Sequence, residues 1–312
     1  MSFFRHGLKA KVMSTELIME ANVSKKILFE ALDRVHEFED TYSAYKESSL
    51  LSKINKNAGI KAVFCNEYEI ELFQRALEMA EISQGVFDPT IGVLTQGTYG
   101  FGKLEAKVPS QRELQEVKEL VNYHDLSVSS DEVYLKKKGM RLDLGGIGKG
   151  YIAQKITNYL QERGATKVLV NVGGEICTIG KEYNIAIQDP YSAQNIAVIK
   201  TKSSALCIST SGDYERFIGS KQNHHILDNK TAVQNHYYSS ITIIQNGEDA
   251  TLLDAVATMV FNTPPEHLCK LATKYKIAII AIVEDGELIF ENFKSLEIRA
   301  LELYALYTKE QD

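Results

Sequence analysis

The sequence Arg141-Leu-Asp-Leu-Gly-Gly-Ile-Gly-Lys-Gly150 lies between a strand-like run at 132–137 and a helix-like run at 151–163. Four of its last six residues are glycines, which permit positive φ angles and let the backbone approach a ligand closely. A helix start also presents free N–H groups to an anion. The stretch therefore predicts a phosphate-binding turn with the charged side chains of Asp143 and Lys149 at its edge. The alternative is a tight turn whose glycines serve packing alone.

Two known phosphate-binding motifs can be compared with this stretch. A Walker A loop requires Ser or Thr after Gly-Lys, whereas Gly150 stands there, so no hydroxyl is placed to hold magnesium. A Rossmann fingerprint fits better, because Gly148-x-Gly150-x-x-Ala153 matches its glycine spacing. Residues 167–172 read as the next strand, and Glu175 follows it. A dinucleotide-binding domain of Rossmann type is therefore an alternative interpretation.

Length and composition bound the fold. The chain of 312 residues has 44% hydrophobic and 24% charged residues, which is ordinary for a globular protein. The net charge of −6 provides no broad basic surface, so no nucleic-acid partner is expected. Apolar periodicity predicts a helix after Ser24, a helix capped by Asn66 and a strand over 277–283, without strict alternation of strands and helices. We therefore expect an α+β fold of mixed sheets with packed helices, forming a single domain over 1–312.

The cysteines and the N-terminus bear on the compartment. Cys65, Cys177, Cys207 and Cys269 are far apart and lack metal-ligand spacing, which is typical of small core residues in a reducing compartment. The first residues are basic but lack the apolar core of a signal peptide. No run approaches the roughly 20 apolar residues of a membrane span. These features predict a cytoplasmic protein without a membrane span, or a periplasmic one if the sequence is a trimmed piece.

Asp254 and Thr258 are four residues apart in a helical pattern, so they face the same side of the predicted helix. A carboxylate, a hydroxyl and nearby carbonyls suit magnesium, which prefers oxygen ligands. The alternative is structural, because Thr251-x-x-Asp254 also matches a capping box. Thr258 would then be a packed helix residue.

Candidate groups for proton transfer come late in the chain. His225, followed by Asp228, is placed to move a proton near neutral pH, although a single histidine is more often structural. Ser209, Ser211 and Asp213 offer hydroxyls and a carboxylate, and Asp213 is the second candidate base. The chain has no Gly-x-Ser-x-Gly elbow, so a serine hydrolase is poorly supported.

Taken together, eight stretches resemble the FAD:protein FMN transferase (ApbE) family, in the family's order and over about positions 13–261. They are Tyr45 with residues 49–55, Gly85-Val-Phe-Asp-Pro-Thr-Ile-Gly92, Gly100-Phe-Gly102, Asp143-Leu-Gly-Gly-Ile-Gly-Lys-Gly150, Asn171-Val-Gly-Gly-Glu175, Ser209-Thr-Ser-Gly-Asp-Tyr-Glu-Arg216, His225-Ile-Leu-Asp228 and Asp254-Ala-Val-Ala-Thr258. One such motif is weak, whereas eight in order are specific. The resemblance implies an ApbE-like, T-fold-like architecture.

The resemblance also implies an activity. Members of the family move FMN from FAD onto a Ser or Thr hydroxyl of an acceptor flavoprotein through a phosphoester bond, release AMP and use Mg²⁺. His225 would be the base, and the Gly146 and Gly148 carbonyls with Asp254 and Thr258 would surround the metal. The residues lining the FAD site would be Met13, Tyr45, Phe87, Asp88, Asp143, Lys149 and Leu227.

The chain departs from the family pattern at several positions. Met13-Ser14-Thr15 stands where Met-Gly-Thr is frequent, and Gly148 replaces an alanine, a mild change because only the carbonyl is needed. Ala257 stands where some members carry a second carboxylate, so that ligand is missing. After Asp228, Asn229-Lys230-Thr231-Ala232 replaces the usual Pro and Thr-Gly. The family's frequent lipoprotein signal is also absent, which puts export in doubt and leaves the chemistry intact.

Three classes of function follow from the sequence. The first is the transferase, in which Mg²⁺ and glycine-rich N–H groups would stabilise charge on the pyrophosphate. Neutral His225 would remove the acceptor's proton, with an acidic limb in the rate at roughly pH 6–7. The second is a FAD pyrophosphatase, in which water replaces the acceptor and yields FMN and AMP. The third is a non-catalytic, Rossmann-type dinucleotide-binding domain.

Overall fold

The computed structural model describes residues 6–304. The helices are α1 (Lys25–Tyr42), α2 (Leu50–Lys56), α3 (Glu67–Ile82), α4 (Gln111–Val117), α5 (Gly148–Glu162), α6 (Ala250–Phe261) and α7 (Leu268–Tyr275). The strands are β1 (His6–Val12), β2 (Thr15–Ala21), β3 (Val63–Phe64), β4 (Leu126–Val128), β5 (Glu132–Leu135), β6 (Val168–Val172), β7 (Glu175–Ile179), β8 (Asn184–Gln188), β9 (Asn195–Thr201), β10 (Leu206–Gly212), β11 (Phe217–Ile218), β12 (Ser220–His224), β13 (Tyr238–Asn246), β14 (Ala278–Val283), β15 (Leu288–Glu291) and β16 (Ile298–Leu303). Residues 1–5, on which the signal-peptide prediction partly rests, lie outside the described residues.

Local capping signals place the helix starts. Asn66 accepts the N–H groups of Tyr68 and Glu69 and forms a capping box at the start of α3, as its residue type predicts. Ser110 forms the same kind of capping box with Glu113 at the start of α4. The predicted helix after Ser24 is α1, although the Ser24 side chain makes no capping hydrogen bond. Within residues 6–304, no helix combines the length and the apolar character needed to cross a bilayer.

The largest sheet contains eight strands in the order β1-β2-β6-β7-β10-β13-β14-β15. Both faces of this sheet are covered, which explains why strand β14 is apolar throughout. Ile279 and Ala281 pack in the core that also contains the buried side chains of α5 and α6. Ile280 and Ile282 point to the other face and pack with side chains of β8 and β9. Strands β16, β9 and β8 form a separate three-stranded sheet.

The strand pairing excludes the Rossmann alternative. That fold requires parallel strands joined by a crossover helix. Here β5, which precedes the glycine-rich turn, belongs to the small sheet β3-β5-β4. Strand β6, which follows α5, pairs with β2 and β7, and both pairs are antiparallel. The alternative of a Rossmann-type domain is therefore wrong, and the predicted α+β class is confirmed.

Candidate active site

The glycine-rich turn is held by hydrogen bonds within its own chain. One carboxylate oxygen of Asp143 accepts the N–H of Gly145 at 2.8 Å, and the other accepts the hydroxyl of Thr95 at 2.5 Å. Gly148, the first residue of α5, donates its N–H to the carbonyl of Leu144 at 2.8 Å. These bonds fix the path of the turn before the helix begins.

The carboxylate of Asp254 occupies the start of α5. Asp254 is 2% exposed, and its Oδ2 accepts the N–H of Gly150 at 2.8 Å. An added Cβ on Gly150 would lie 2.2 Å from the carbonyl oxygen of Ala250, so only glycine permits this contact between α5 and α6. The helix start therefore interacts with an anion of the protein itself. The N–H groups of Gly145, Gly148 and Gly150 thus have acceptors within the protein, and phosphate binding by this turn stays a prediction.

The capping alternative for Asp254 is also wrong. Helix α6 begins at Ala250, and its N-cap is Asp249, whose side chain accepts the N–H of Leu252 at 2.9 Å. Asp254 lies one turn further inside the helix, so Thr251-x-x-Asp254 is not a capping box. The carboxylate of Asp254 is thus free of a capping role in its own helix and reaches α5 instead.

Gly146, Asp254 and Thr258 lie together where the glycine-rich turn meets α6. The hydroxyl of Thr258 lies 3.5 Å from the carbonyl oxygen of Asp254. An added Cβ on Gly146 would lie 3.0 Å from Oγ1 of Thr258, so the backbone of the turn approaches the helix closely. Gly148 is two residues from Gly150, the partner of Asp254. A carboxylate, a hydroxyl and backbone carbonyls are the donors that Mg²⁺ prefers.

Residues 6–304 contain no group of three or more His, Cys, Asp or Glu placed to hold a metal ion. A metal at this position would therefore depend on hydroxyl and carbonyl oxygens together with one carboxylate. Mg²⁺ suits such a donor set, because it usually binds through one or two carboxylates and keeps several waters or substrate phosphates. The residues present fit this ion.

Glu175 belongs to the site, although sequence reasoning did not assign it there. It begins β7, is 1% exposed, and accepts a hydrogen bond from Nζ of Lys149 at 2.9 Å. Burial and the charge of Asp254 raise the pKa of Glu175, whereas Lys149 lowers it. Burial lowers the pKa of Lys149, but the charges of Glu175 and Asp254 outweigh burial and raise it. The available sequence signal was an acidic residue directly after the Gly173-Gly174 turn.

His225, directly after β12, is positioned by the backbone of Arg216. The His225 N–H donates to the Arg216 carbonyl at 3.0 Å, and ring Nδ1 lies 3.1 Å from the same oxygen. Because a carbonyl can only accept, Nδ1 carries the proton and Nε2 keeps its lone pair. Burial, followed by the charge of Arg216, lowers the pKa of His225 to about 3, and Lys149 acts in the same direction. His225 is therefore neutral near pH 7, with a pKa well below the unperturbed one assumed from sequence.

Tyr45 and Arg216 form one wall beside His225. The guanidinium of Arg216 donates to the hydroxyl of Tyr45 at 3.1 Å, and this hydroxyl donates to the carbonyl of Phe101 at 3.0 Å. Gly102 has a φ of 80°, and an added Cβ there would lie 3.2 Å from the Tyr45 ring. The loop therefore needs glycine at this position to pass the ring. Sequence reasoning included Arg216 only as the last residue of a matching stretch and gave it no role, because its contact with Tyr45 joins residues 171 positions apart.

Phe87 and Asp88 shape another part of the site. A Cβ on Gly146 would lie 3.4 Å from the ring of Phe87, so this ring lies against the glycine-rich turn. The carboxylate of Asp88 accepts the N–H and the hydroxyl of Thr90, at 2.8 and 2.6 Å, and the N–H of Tyr123 at 2.9 Å. Both oxygens of Asp88 are thus engaged within the protein, so Asp88 holds the loop in shape.

Met13 and Leu227 lie at different edges of the region. Met13 is in the turn between β1 and β2, with a φ of 47°. Directly after this turn, Thr15 begins β2 and packs against Gly173, where an added Cβ would lie 2.3 Å from Oγ1 of Thr15. This contact places the Met13 turn near the start of β7. Leu227 is 2% exposed and packs in a small apolar cluster with Phe101.

Asp213 lies among charged residues other than Lys149 and Asp254. Its N–H donates to the carbonyl of Ser239 at 3.1 Å, and one of its carboxylate oxygens is buried without a hydrogen-bond partner among the described residues. Burial raises the pKa of Asp213 to about 6, against the effect of Lys221. The other charged groups that shift this pKa are Glu284 and His236. The structure therefore brings Lys149 and Asp254 together and places Asp213 in a different charged environment.

Comparisons with known proteins give consistent results. The model of the ApbE family matches residues 11–282. A FAD:protein FMN transferase of Klebsiella pneumoniae (strain 342) is 27% identical over 277 residues, covering 86% of this chain and 85% of that protein. A FAD:protein FMN transferase of Treponema pallidum (strain Nichols) is 29% identical over 271 residues, covering 80% of this chain and 74% of that protein.

Solved structures share the fold. The crystal structure of the ApbE protein from Thermotoga maritima matches with a TM-score of 0.86 and 28% identity, covering 95% of this chain and 100% of that one. The flavin transferase ApbE from Vibrio cholerae matches with a TM-score of 0.81 and 24% identity, covering 93% and 98% of the two chains.

Proposed function

Because this chain belongs to the ApbE family, we propose how it acts as a FAD:protein FMN transferase. A Ser or Thr hydroxyl of an acceptor flavoprotein attacks the phosphorus of the FMN half of FAD. The bond from that phosphorus to the bridging oxygen breaks, AMP leaves, and FMN remains attached to the acceptor by a phosphoester bond. The observation that carries this proposal is the meeting of Lys149, Asp254 and Thr258 at the start of α5.

Asp254, Thr258 and the carbonyls of Gly146 and Gly148 would hold Mg²⁺. The bound ion would neutralise charge on the pyrophosphate oxygens, as divalent ions do in phosphoryl transfer. The support is the donor set, which is entirely oxygen, and the close approach of Gly146 to Thr258. Lys149 adds a second positive charge on the same side, because its pKa is raised and it stays protonated.

His225 would act as the general base through Nε2. The Arg216 carbonyl fixes the tautomer, and the lowered pKa keeps the ring neutral, so the lone pair is available near pH 7. Asp213 is the second candidate, since its pKa of about 6 suits proton transfer. We favour His225 because its pKa responds to Lys149, whereas the charged groups that shift the pKa of Asp213 are Lys221, Glu284 and His236.

The FAD site would be lined by side chains around the glycine-rich turn. Tyr45 is half exposed beside Arg216, so it offers aromatic surface to a flavin or adenine ring. Phe87 is 4% exposed and packs against Gly146, so it would line the site from behind the glycine-rich turn. Asp88 would contribute indirectly by holding its loop in shape. The remaining proposed lining residues are Met13, Asp143, Lys149 and Leu227.

We also propose that residues 1–312 work as one transferase domain. The eight-stranded sheet takes strands from both ends of the described chain, from β1 to β15. The proposed metal ligands come from α6 and from the glycine-rich turn with the first residue of α5. These segments are about a hundred positions apart and meet through the Gly150–Asp254 hydrogen bond. Cutting the chain between α5 and α6 would therefore separate the two halves of the site.

The experiment that tests the function is incubation with FAD, Mg²⁺ and a candidate acceptor, followed by intact mass spectrometry of the acceptor. Transfer adds FMN less one water to the acceptor and releases AMP. The acceptor's Ser/Thr→Ala variant is the control, because it lacks the attacking hydroxyl. Free FMN and AMP without any mass change in the acceptor would indicate a pyrophosphatase instead. Unchanged FAD in every reaction would contradict both activities for the acceptors tried, and omission of Mg²⁺ tests the metal requirement.

A further inference from the structure

A buried ion pair lies beside the proposed metal site. Glu175 is 1% exposed, and its Oε1 accepts a hydrogen bond from Nζ of Lys149 at 2.9 Å. Its second oxygen, Oε2, is buried and makes no well-formed hydrogen bond among residues 6–304, although the Ser209 hydroxyl is near enough to lower the pKa of Glu175. Burying an unpaired carboxylate oxygen costs free energy. The fold thus retains an acid whose full hydrogen-bonding capacity it does not satisfy, which points to a role beyond packing.

Lys149 lies near two buried carboxylates. Its ammonium is hydrogen-bonded to Glu175, while the next residue, Gly150, donates its N–H to Asp254. Asp254 is 2% exposed and is near enough that its charge, with that of Glu175, raises the pKa of Lys149 against the effect of burial. Two buried carboxylates and, less strongly, the exposed Glu215 therefore act on one ammonium. The hydrogen bond goes to Glu175, which is not a proposed metal ligand.

This arrangement matters for cation binding, because an ammonium and a divalent cation compete for the same carboxylate. A hydrogen bond from Lys149 to Asp254 would put a positive charge where the ion binds. We propose that Glu175 is a positioning residue that holds Lys149 away from Asp254 and keeps that carboxylate available to a divalent cation. This inference rests on the proposed metal site. The side chain of Lys149 is still 31% exposed, so its other N–H groups remain available to the pyrophosphate of FAD.

A simpler effect of Glu175 has to be separated from this one. Loss of its negative charge would weaken cation binding through Coulomb attraction alone, without any part played by Lys149. In that case, replacing Lys149 would strengthen cation binding by the same factor whether or not Glu175 is present. If Glu175 acts through Lys149, replacing Lys149 has a large effect only when Glu175 is absent. Non-additivity of the two substitutions therefore distinguishes the explanations.

The test is a double-mutant cycle read by Mn²⁺ binding to the full-length protein, with and without FAD and without acceptor. Free Mn²⁺ is measured by electron paramagnetic resonance for wild type, Glu175→Gln, Lys149→Met and the double variant. Glu175→Gln is expected to weaken binding roughly tenfold or more, the size expected for losing a hydrogen bond to a charged group. Without FAD, adding Lys149→Met is expected to restore most of this loss, whereas the same substitution in the wild type is expected to raise Mn²⁺ affinity by a clearly smaller factor.

Two results would overturn the role of Glu175. The first is that Glu175→Gln binds Mn²⁺ with the affinity of the wild type. The second is that Lys149→Met changes Mn²⁺ affinity by the same factor in the wild type and in Glu175→Gln. Asp254→Asn tests the metal site separately: if it binds Mn²⁺ like the wild type, the proposed site itself is wrong. Glu175→Asp keeps the charge but withdraws the carboxylate by one methylene, and it replaces Glu175→Gln if that variant does not fold. Glu175→Asp is also expected to lose Mn²⁺ affinity, and Lys149→Met should restore that affinity. A loss that Lys149→Met does not restore counts against the proposal.

Discussion

Replacement of His225 by alanine should slow FMN transfer strongly while leaving FAD affinity nearly unchanged. General-base catalysis is typically worth about 10²–10⁴ in rate. The pKa of His225 is lowered to about 3, so the ring is a weak base that is nevertheless fully neutral at pH 7. Because base efficiency falls when the pKa lies far below the working pH, we expect the loss at the lower end, about 10².

The pH dependence follows from the same lowered pKa. The active form of His225 is neutral, so the transfer rate should hold as the pH falls from 8 to 5 and should drop only as the pH approaches 3. This differs from the limb at pH 6–7 that an unperturbed histidine would give. If the transfer rate instead falls at pH 6–7, and this fall is absent in His225→Ala, then His225 is the base but its pKa is not lowered.

The assay is single-turnover transfer followed by intact mass, together with FAD titration of both proteins. His267→Ala is a matched control, because His267 is exposed, directly precedes α7 and is not among the residues proposed for the site. Near-normal single-turnover transfer by His225→Ala would refute the base assignment. Parallel losses in FAD affinity and rate would mean that His225 only contacts the substrate. In either case Asp213 becomes the leading candidate base.

Three further predictions concern the metal, the helix contact and a buried acid. Asp254→Asn keeps an oxygen for the Gly150 N–H but loses the charge, so the rate of FMN transfer should fall and should require more Mg²⁺. Transfer at the wild-type rate across a Mg²⁺ titration would contradict the metal assignment. Gly150→Ala should lower the free energy of unfolding in urea by about 3 kcal/mol, because its Cβ would lie 2.2 Å from the Ala250 carbonyl oxygen. Gly97→Ala is the control and should lower this free energy far less, because its Cβ would have no contact under 3.8 Å. The pKa of Asp213 is raised to about 6, so the folded state favours its proton and loses stability as the pH rises from about 4 through 6. Asp213→Asn should therefore gain about 1 kcal/mol over wild type between urea unfolding at pH 5 and at pH 8, and a constant difference would refute the shift.

Much of the secondary structure could be predicted because its signals are local. Asn66 with Glu69, and Ser110 with Glu113, form capping boxes whose partners are three residues apart. The strand predicted over 277–283 matches β14, whose residues are apolar because both sheet faces are covered. The order of strands in the sheet depends on residues that are far apart in the sequence. The spacing from Gly148 to Ala153 resembled a Rossmann fingerprint, yet the antiparallel pairing of β6 depends on β2, about 150 residues earlier.

In the candidate site, too, local features could be predicted from the sequence and contacts between distant residues could not. The spacing of Asp254 and Thr258 predicted that both lie on one face of a helix, and α6 confirms that face. No spacing could predict that Asp254 meets the N–H of Gly150, because this contact joins residues 104 positions apart. For the same reason the glycine N–H groups looked available to phosphate when α5 was considered alone. The acceptor of the Gly150 N–H becomes visible only when the turn and α6 are packed together, whereas those of Gly145 and Gly148 lie within the turn itself.

The sequence by itself determined the α+β class, most helix and strand positions, the resemblance to a flavin transferase family and the main candidate ligands. These depend on residue type, on periodicity and on neighbours within one or two turns. Only the tertiary structure decided the charge state and partners of the site: the neutral tautomer of His225, the pairing of Lys149 with Glu175, and the separate environment of Asp213. Burial and Coulomb interactions act through space, and chain folding sets which charges become neighbours, so a linear sequence does not contain these distances.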